Sequence, residues 1–358
     1  MKTRFIGTLI VAIALAIVGC KKTETTQTNP EGEVSLKGAG ATFPQPLYEK
    51  WIGTYQTAHP KIKISYNGIG SGGGIKQISA KEVDFGASDA PLSQKEVDAA
   101  KANGQDLLQI PMTLGAVVPI YNVKGIDAGK PLVFTGKVLA DLFSGKIKKW
   151  NDSQLTELNP GVALPDAEVK IVHRDDPSGT TYVFTEYLSK VSPDWKAAKA
   201  SDQWAQGSAA GKGNPRVAET VKSTDNSLGY VELNYAMMNK IAFASLKNKS
   251  GKTIAPSIES VSAAANLPQI PDDLSKMSLT DSDVADAYPI SSTTFLLIPK
   301  EIADGGKAKV LLDYVNWCLT EGQKQSKELF YSPLPENVAK AAIAKIKTVS
   351  SGGKAVMQ

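Results

Sequence analysis

The stretch Tyr66 to Gln77 reads YNGIGSGGGIKQ and sets Gly68, Gly70 and Gly73 in the order G-x-G-x-x-G. Glycines so spaced let backbone N–H groups come close to a phosphate, either the pyrophosphate of a dinucleotide or a smaller anion. A dinucleotide site would need a strand, a helix and an acid nearby. Ile62, Ile64 and Tyr66 alternate as a strand does, Ile75 and Ile78 begin a helical spacing, and Asp89 follows about sixteen residues after Gly73. Two further stretches, GAGATFP (38–44) and RDDPSGTTY (174–182), carry small residues and hydroxyls where a strand gives way to a helix. Each such turn directs free backbone N–H groups and a positive dipole end at a ligand. A dinucleotide needs one turn and a long groove, whereas three facing turns enclose something small and polyanionic. Thr42, Ser71, Ser178 and Thr180 would add hydroxyl donors, and Arg174 a planar fork suited to a tetrahedral oxyanion.

Other chemistries find little support. His59 and His173 are far apart, and no Cys or His cluster has metal-ligand spacing, so a catalytic zinc and other metal sites are not expected. His59, before Pro60, reads as a helix end. The elbow G-x-S-x-G is absent around Ser71 and Ser178, and GSAAGKGN (207–214) lacks the spacing and the Ser/Thr of a P-loop, which leaves Lys212 as a solvated loop lysine. No cofactor is expected, and an enzyme is disfavoured.

The elements that must position these residues alternate, which predicts an α/β protein with mostly parallel sheets. A strand begins at Val34. A helix follows Pro44 with Leu47, Trp51 and Tyr55 on one face, and it stops at Pro60. VDFGASDAPLSQKEV is a strand, a turn and a helix opened by Ser93 and Glu96 in capping-box spacing. QIPMTLGAVVPIYNV joins two apolar runs and reads as a crossing into a second domain, with YPISSTTFLLIPK as the return. Between them lie a short helix at Val138, Leu142 and Phe143, a strand at Val169 and Ile171, and a strand-to-helix unit in GYVELNYAMM. Residues 248–280 are polar and poorly periodic and are placed on the surface. A helix over Lys307 to Leu319 completes the first domain, with Cys318 packed on it as a small apolar residue. Two crossings imply a hinge and a cleft.

Lys2 and Arg4 precede an apolar run from Leu9 to Val18 that is too short to span a bilayer, so residues 1–19 read as a signal peptide. Ile17-Val18-Gly19-Cys20 resembles the lipobox of bacterial lipoproteins, which would make Cys20 a lipid-bearing first residue followed by a flexible spacer to residue 33. Loss of Lys2 and Arg4 lowers the formal charge from +4 to about +2, too little for a nucleic-acid partner held on a basic face.

Taken together, LKGAGATFPQPLYEKW, GIGSGGGIKQI, VDFGASDAPLS, GKIKKWND, RDDPSGTTYVFTEYL, GYVE and PISSTTFLLIPK resemble, in this order from Leu36 to about Pro335, the PstS family: phosphate-binding proteins of bacterial high-affinity phosphate ABC transporters. The resemblance implies a periplasmic-binding-protein type II fold, with two α/β domains joined by two crossover strands and the ligand in the interdomain cleft. Domain I would be residues 34–115 plus 290–358, and domain II residues 116–289. It implies inorganic phosphate held by Thr42, Phe43, Ser71, Asp89, Arg174, Ser178, Gly179 and Thr180, with Asp176 steadying Arg174. It also implies membrane permease subunits of the transporter as partners, a monomer, and an exported, lipid-anchored location on the outer face of a membrane. Asp175 and Pro177 depart from the commoner pattern of the third turn and leave its local potential open.

A carboxylate facing an anion is repulsive unless the anion brings a proton. Phosphate carries an O–H that Asp89 could accept and sulfate at neutral pH carries none, so Asp89 would be the selectivity filter. Two alternatives stay open. One is an exported phosphatase or nucleotide-dependent oxidoreductase using the glycines at 68–74; the other is a binder of the same fold for sulfate, molybdate or a phosphonate.

Overall fold

Two strands that pass from one half of the molecule to the other organise the chain. The computed structural model describes residues 1, 32–126, 130–267 and 269–357, so the expected signal peptide after Met1, the lipidated Cys20 and the spacer as far as Glu31 lie outside the described residues. Residues 34–358 form one unit of contacts, separate from Met1–Glu33. Among the described residues no helix is long and apolar enough to cross a membrane.

The first half runs β1 (Val34–Gly40), α1 (Gln45–Ala58), β2 (Ile62–Gly68), α2 (Ser71–Ser79), β3 (Phe85–Ser88) and α3 (Gln94–Ala102) into the long strand β4 (Leu107–Asn122). The second half runs β5 (Val133–Phe134), α4 (Gly136–Phe143), α5 (Ser153–Leu158), β6 (Lys170–Arg174), α6 (Gly179–Val191), β7 (Ala209–Gly211), α7 (Gly213–Ser223), β8 (Ser227–Glu232) and α8 (Leu233–Asn239). Three short strands, β9 (Ala242–Phe243), β10 (Ser245–Lys247) and β11 (Thr253–Ile254), and a helix, α9 (Ile258–Ala264), lead to the return strand β12 (Ser291–Pro299). Helices α10 (Gly305–Leu319) and α11 (Glu336–Ile346) then pack back on the first half.

The strand order is β2-β1-β3-β12-β4-β8-β6-β7. Residues Leu107–Ala116 of β4 pair with β12, while Val117–Asn122 pair with β8, so one strand belongs to both halves of the sheet. The chain predicts mostly parallel sheets, and the pairs β1–β2, β1–β3, β6–β7 and β6–β8 are parallel. The crossing strands are not: β4 and β12 run antiparallel to each other, β12 to β3 and β4 to β8. A chain that leaves one half and returns beside its own path must run the two passages in opposite senses.

Local chemistry explains the elements that carry the site. Leu47, Trp51 and Tyr55 are buried on one face of α1, and the Trp51 indole N–H donates to the Gly322 carbonyl at 2.7 Å, fastening α1 to the C-terminal segment. Ser93 and Glu96 form the expected capping box on α3. Cys318 is buried on α10. The surface placement of residues 248–280 needs correction. Val261 and Ala264 on α9, Leu274 on a short 3-10 turn, and Met277 and Leu279 beyond it are buried, so sparse apolar residues in this stretch supply part of the core.

Helix α2 lies directly on the ends of β1 and β3. A Cβ on Gly74 would stand 2.4 Å from the Gly40 Cα and 2.7 Å from the Ala39 carbonyl oxygen, whereas one on the exposed Gly53 of α1 would meet nothing within 4 Å. Gly74→Ala should therefore cost about 1–3 kcal/mol because backbone has to move. Gly53→Ala should stabilise the chain by about 0.5–1 kcal/mol through helix propensity. Urea unfolding of the two variants checks both signs.

Candidate functional site

The site forms where strands end. β1 delivers Thr42 and Phe43, β2 delivers Gly70 and Ser71, β3 delivers Asp89, β6 ends in Arg174 and leads to Ser178, Gly179 and Thr180, and β7 leads to Gly213 and Asn214. In open α/β sheets ligands bind beyond the carboxyl ends of strands, where helices begin. Thr42, Phe43, Ser71, Asp89, Arg174, Ser178, Gly179 and Thr180 are all buried there.

Hydrogen bonds fasten these turns to one another across the cleft. The Gly179 N–H donates to Ser71 Oγ at 3.0 Å and the Gly72 N–H to the Pro177 carbonyl at 2.9 Å. Thr42 Oγ1 accepts from the Asn214 backbone N–H at 3.1 Å and from Asn214 Nδ2 at 2.9 Å. Tyr235 donates its O–H to the Thr42 carbonyl at 2.6 Å. Gly70 has φ +87°, and a Cβ on it would lie 2.1 Å from Asp176 Oδ2, while one on Gly72 would lie 2.5 Å from the Pro177 Cβ. The glycine loop is therefore covered by the Asp176–Pro177 turn, on the face that a dinucleotide would have to occupy.

The hydroxyls have an enforced polarity. Ser71 Oγ accepts from the N–H groups of Gly179 and Asp89, Ser178 Oγ from Thr181 N–H at 3.0 Å, and Thr180 Oγ1 from Asn214 Nδ2 at 3.1 Å and Arg174 NH1 at 3.4 Å. Thr42 Oγ1 already takes two donors from Asn214. An oxygen whose lone pairs are engaged by N–H groups has its own proton left to give. The hydroxyls of Thr42, Ser178 and Thr180, three helix N-termini and one guanidinium thus gather as donors, while Ser71 Oγ turns its own proton to Asp89 Oδ2 at 3.5 Å.

Two carboxylates stand among them, shifted in opposite directions. Asp176 accepts from Arg174 Nε at 2.7 Å and NH2 at 2.5 Å, and from Gly213 N–H at 3.0 Å. Burial pushes its carboxyl up, but the hydrogen bonds and charge of Arg174 outweigh burial and hold it below the usual carboxylate range. Asp89 Oδ1 accepts from Thr294 Oγ1 at 2.8 Å and its Oδ2 from Ser71 Oγ at 3.5 Å. Burial raises its carboxyl to about 7, against the lowering effects of Thr294, Arg174 and Ser71. A third acid, Glu232, is fully buried where β8 meets β4, caps α8 through the Asn234 N–H at 2.8 Å, and is pushed well above the usual range by burial.

Asp175 is exposed and Pro177 contributes its carbonyl to the Gly72 contact, so the unusual residues of the third turn add no buried charge. Sequence reasoning missed Asn214 and Thr294. Asn214 sits in GSAAGKGN, a fourth strand-to-helix turn that fails as a P-loop yet has the same small-residue signature as the other three. Thr294 lies at an irregularity of register in β12, next to Phe295, which turns it toward Asp89.

Residues 23–321 match the family model of the PBP superfamily domain, the class of two-domain binding protein that this α/β fold with two crossover strands defines. Phosphate-binding protein PstS of Xylella fastidiosa is 42% identical over 361 residues, covering 95% of this chain and 97% of the relative. PstS of Methanocaldococcus jannaschii is 36% identical, covering 96% and 94%. A solved phosphate-binding protein from Stenotrophomonas maltophilia shares the fold with a TM-score of 0.70 at 18% identity, covering 87% of this chain and 94% of that one. The chain belongs to the PstS family.

The Asp89 carboxyl, at about 7 when folded and near 3.8 when unfolded, holds its proton in the folded chain between about pH 4 and about pH 7. Its stabilising effect is fully present below about pH 4 and is lost as pH rises through about 7; a displacement of about three units corresponds to about 4 kcal/mol. In ligand-free urea denaturation, the stability of the wild type relative to Asp89→Asn should fall by a few kcal/mol from about pH 4.5 to about pH 7.5. A difference that stays level with pH would remove the raised carboxyl from the account.

Proposed function

We propose that this chain is an extracytoplasmic solute-binding lipoprotein that captures inorganic phosphate and hands it to the membrane permease of an ABC importer. The observation that carries the reading is the polarity of the site: Thr42, Ser71, Ser178 and Thr180 have their hydroxyl oxygens engaged by N–H donors, and Asp89 is the buried acid set among them. Such a surface suits a tetrahedral oxyanion with many acceptor oxygens and one proton to give, which at neutral pH describes phosphate. The names of its PstS relatives support the same ligand.

Capture proceeds by closure of residues 34–115 plus 290–358 against 116–289, hinged on β4 and the approach to β12. Ligand contacts from both sides favour the closed population. Residues 1–19 act as a signal peptide and Cys20 carries the lipid that tethers a monomer to the outer face of a membrane. In this reading binding involves no covalent step: the hydroxyl and backbone donors, Arg174 and Asp89 hold the anion reversibly. Arg174 is already balanced by Asp176, so dipoles and hydrogen bonds do most of the neutralising.

Calorimetric titration of a soluble form starting at Lys21, unfolded and refolded to remove carried ligand, should give tight one-to-one phosphate binding. The affinity should fall less than about tenfold between low and moderate salt, and p-nitrophenyl phosphate should not be hydrolysed by metal-replete protein. Absence of phosphate heat would overturn the reading, a steep salt dependence would overturn its dipole basis, and release of p-nitrophenol would revive an enzyme.

A further inference from the structure

Behind the donor surface, one lysine touches both sides of the cleft. Lys199 lies in the irregular segment after α6, where Ala198 exchanges two hydrogen bonds with the Thr185 hydroxyl, at 2.9 Å and 3.0 Å. The Lys199 carbonyl accepts the Ser178 N–H at 2.8 Å, so its backbone holds the residue that caps α6 in the third turn. Its ammonium reaches the other half of the chain, donating to Glu96 Oε2 at 2.6 Å and to the Pro91 carbonyl at 3.2 Å, two residues beyond Asp89. Glu96 is itself fixed by the capping box, accepting from Ser93 N–H and Oγ at 2.8 Å each. The two side chains are only 15% and 25% exposed, unlike the solvated pairs elsewhere on the surface. Among the ion pairs of the described residues, this is the one that joins residues 34–115 to residues 116–289.

We propose that Lys199 is a positioning residue that latches the closed state. Its ion pair with Glu96 and its bond to Pro91 fix the Asp89 turn against the Ser178 turn, and so set the rate at which bound anion escapes. The inference rests on the reading of the cleft as an anion site that opens and closes. A solvated ion pair contributes little, but a shielded one whose partner is already immobilised loses less side-chain entropy on forming. Neither group touches the anion, so the latch acts through the open and closed populations.

The test uses the full chain with Cys20→Ser, Lys63→Cys and Glu219→Cys carrying a dye pair, in three backgrounds: unchanged, Lys199→Met, and Glu96→Gln, which keeps the capping box while removing the charge. Stopped-flow with inorganic phosphate should show release about tenfold faster in either latch variant, with association within about twofold, and the double variant should equal the singles. Energy transfer without phosphate should report a more open average in both variants. Lys309→Met, at an exposed pair on α10, should change neither readout. Additive effects of the two latch variants, or unchanged release and unchanged energy transfer, would overturn the latch. If the unchanged protein bound no phosphate, the functional reading would fall, while energy transfer in the ligand-free proteins would still decide the latch.

Discussion

A carboxyl taken out of water is the constraint from which the rest of the site follows. Asp89 is 3% exposed and faces a surface otherwise made of donors. Burying the ionised form costs several kcal/mol, and Arg174, the nearest cation, is already committed to Asp176. The group is therefore balanced near neutrality, able to receive a proton from a ligand that has one. Thr294 donates to one of its oxygens at 2.8 Å and Ser71 Oγ, at 3.5 Å, only loosely to the other, which is the oxygen left most open to a ligand's proton. On the proposed reading, a site of donors alone would take any oxyanion, and Asp89 supplies the acceptor for a ligand's proton.

The fold meets the constraint by ending five strands at one place. Strands β1, β2 and β3 come from one side of β4 and strands β6 and β7 from the other. Each parallel unit ends in a turn that begins a helix, which brings N–H groups and dipoles without adding full charges. Asn214 binds this arrangement into one object: it donates to Thr42 on the far side and to Thr180 on its own, and its Oδ1 accepts the Glu232 N–H at 3.0 Å. Because β4 is shared by both halves, the strands whose turns meet at the site are joined to one another through it, β3 by way of β12 and β6 by way of β8.

The parts legible in the sequence were those with local signatures. Glycines after an alternating strand marked Ser71, a short apolar run ending in an acid marked Asp89, and Pro-Ser-Gly-Thr before an apolar helix marked Arg174 to Thr180. The crossings were readable because a strand buried on both faces is a nearly unbroken apolar run, as Ile110–Tyr121 is. Residues whose role depends on a distant partner were not readable. Thr294 looks like any small residue of a core strand, Lys199 lies in aperiodic chain, and Asn214, in a turn that lacks P-loop spacing, carries no local sign that it joins turns. The direction of β12 was likewise hidden, since an apolar run does not say which neighbour it will lie beside.

The central claim is that Asp89 reads a proton on the ligand, and the measurement closest to it is the ratio of phosphate to sulfate affinity in the wild type and in Asp89→Asn at neutral pH. The account predicts that the wild type excludes sulfate by about 10⁴-fold or more, because a lone pair would face a lone pair. In Asp89→Asn, whose amide can donate, that ratio should collapse by at least about a hundredfold. A ratio that survives the substitution unchanged would mean that selectivity lies elsewhere in the site and that the buried acid is only structural.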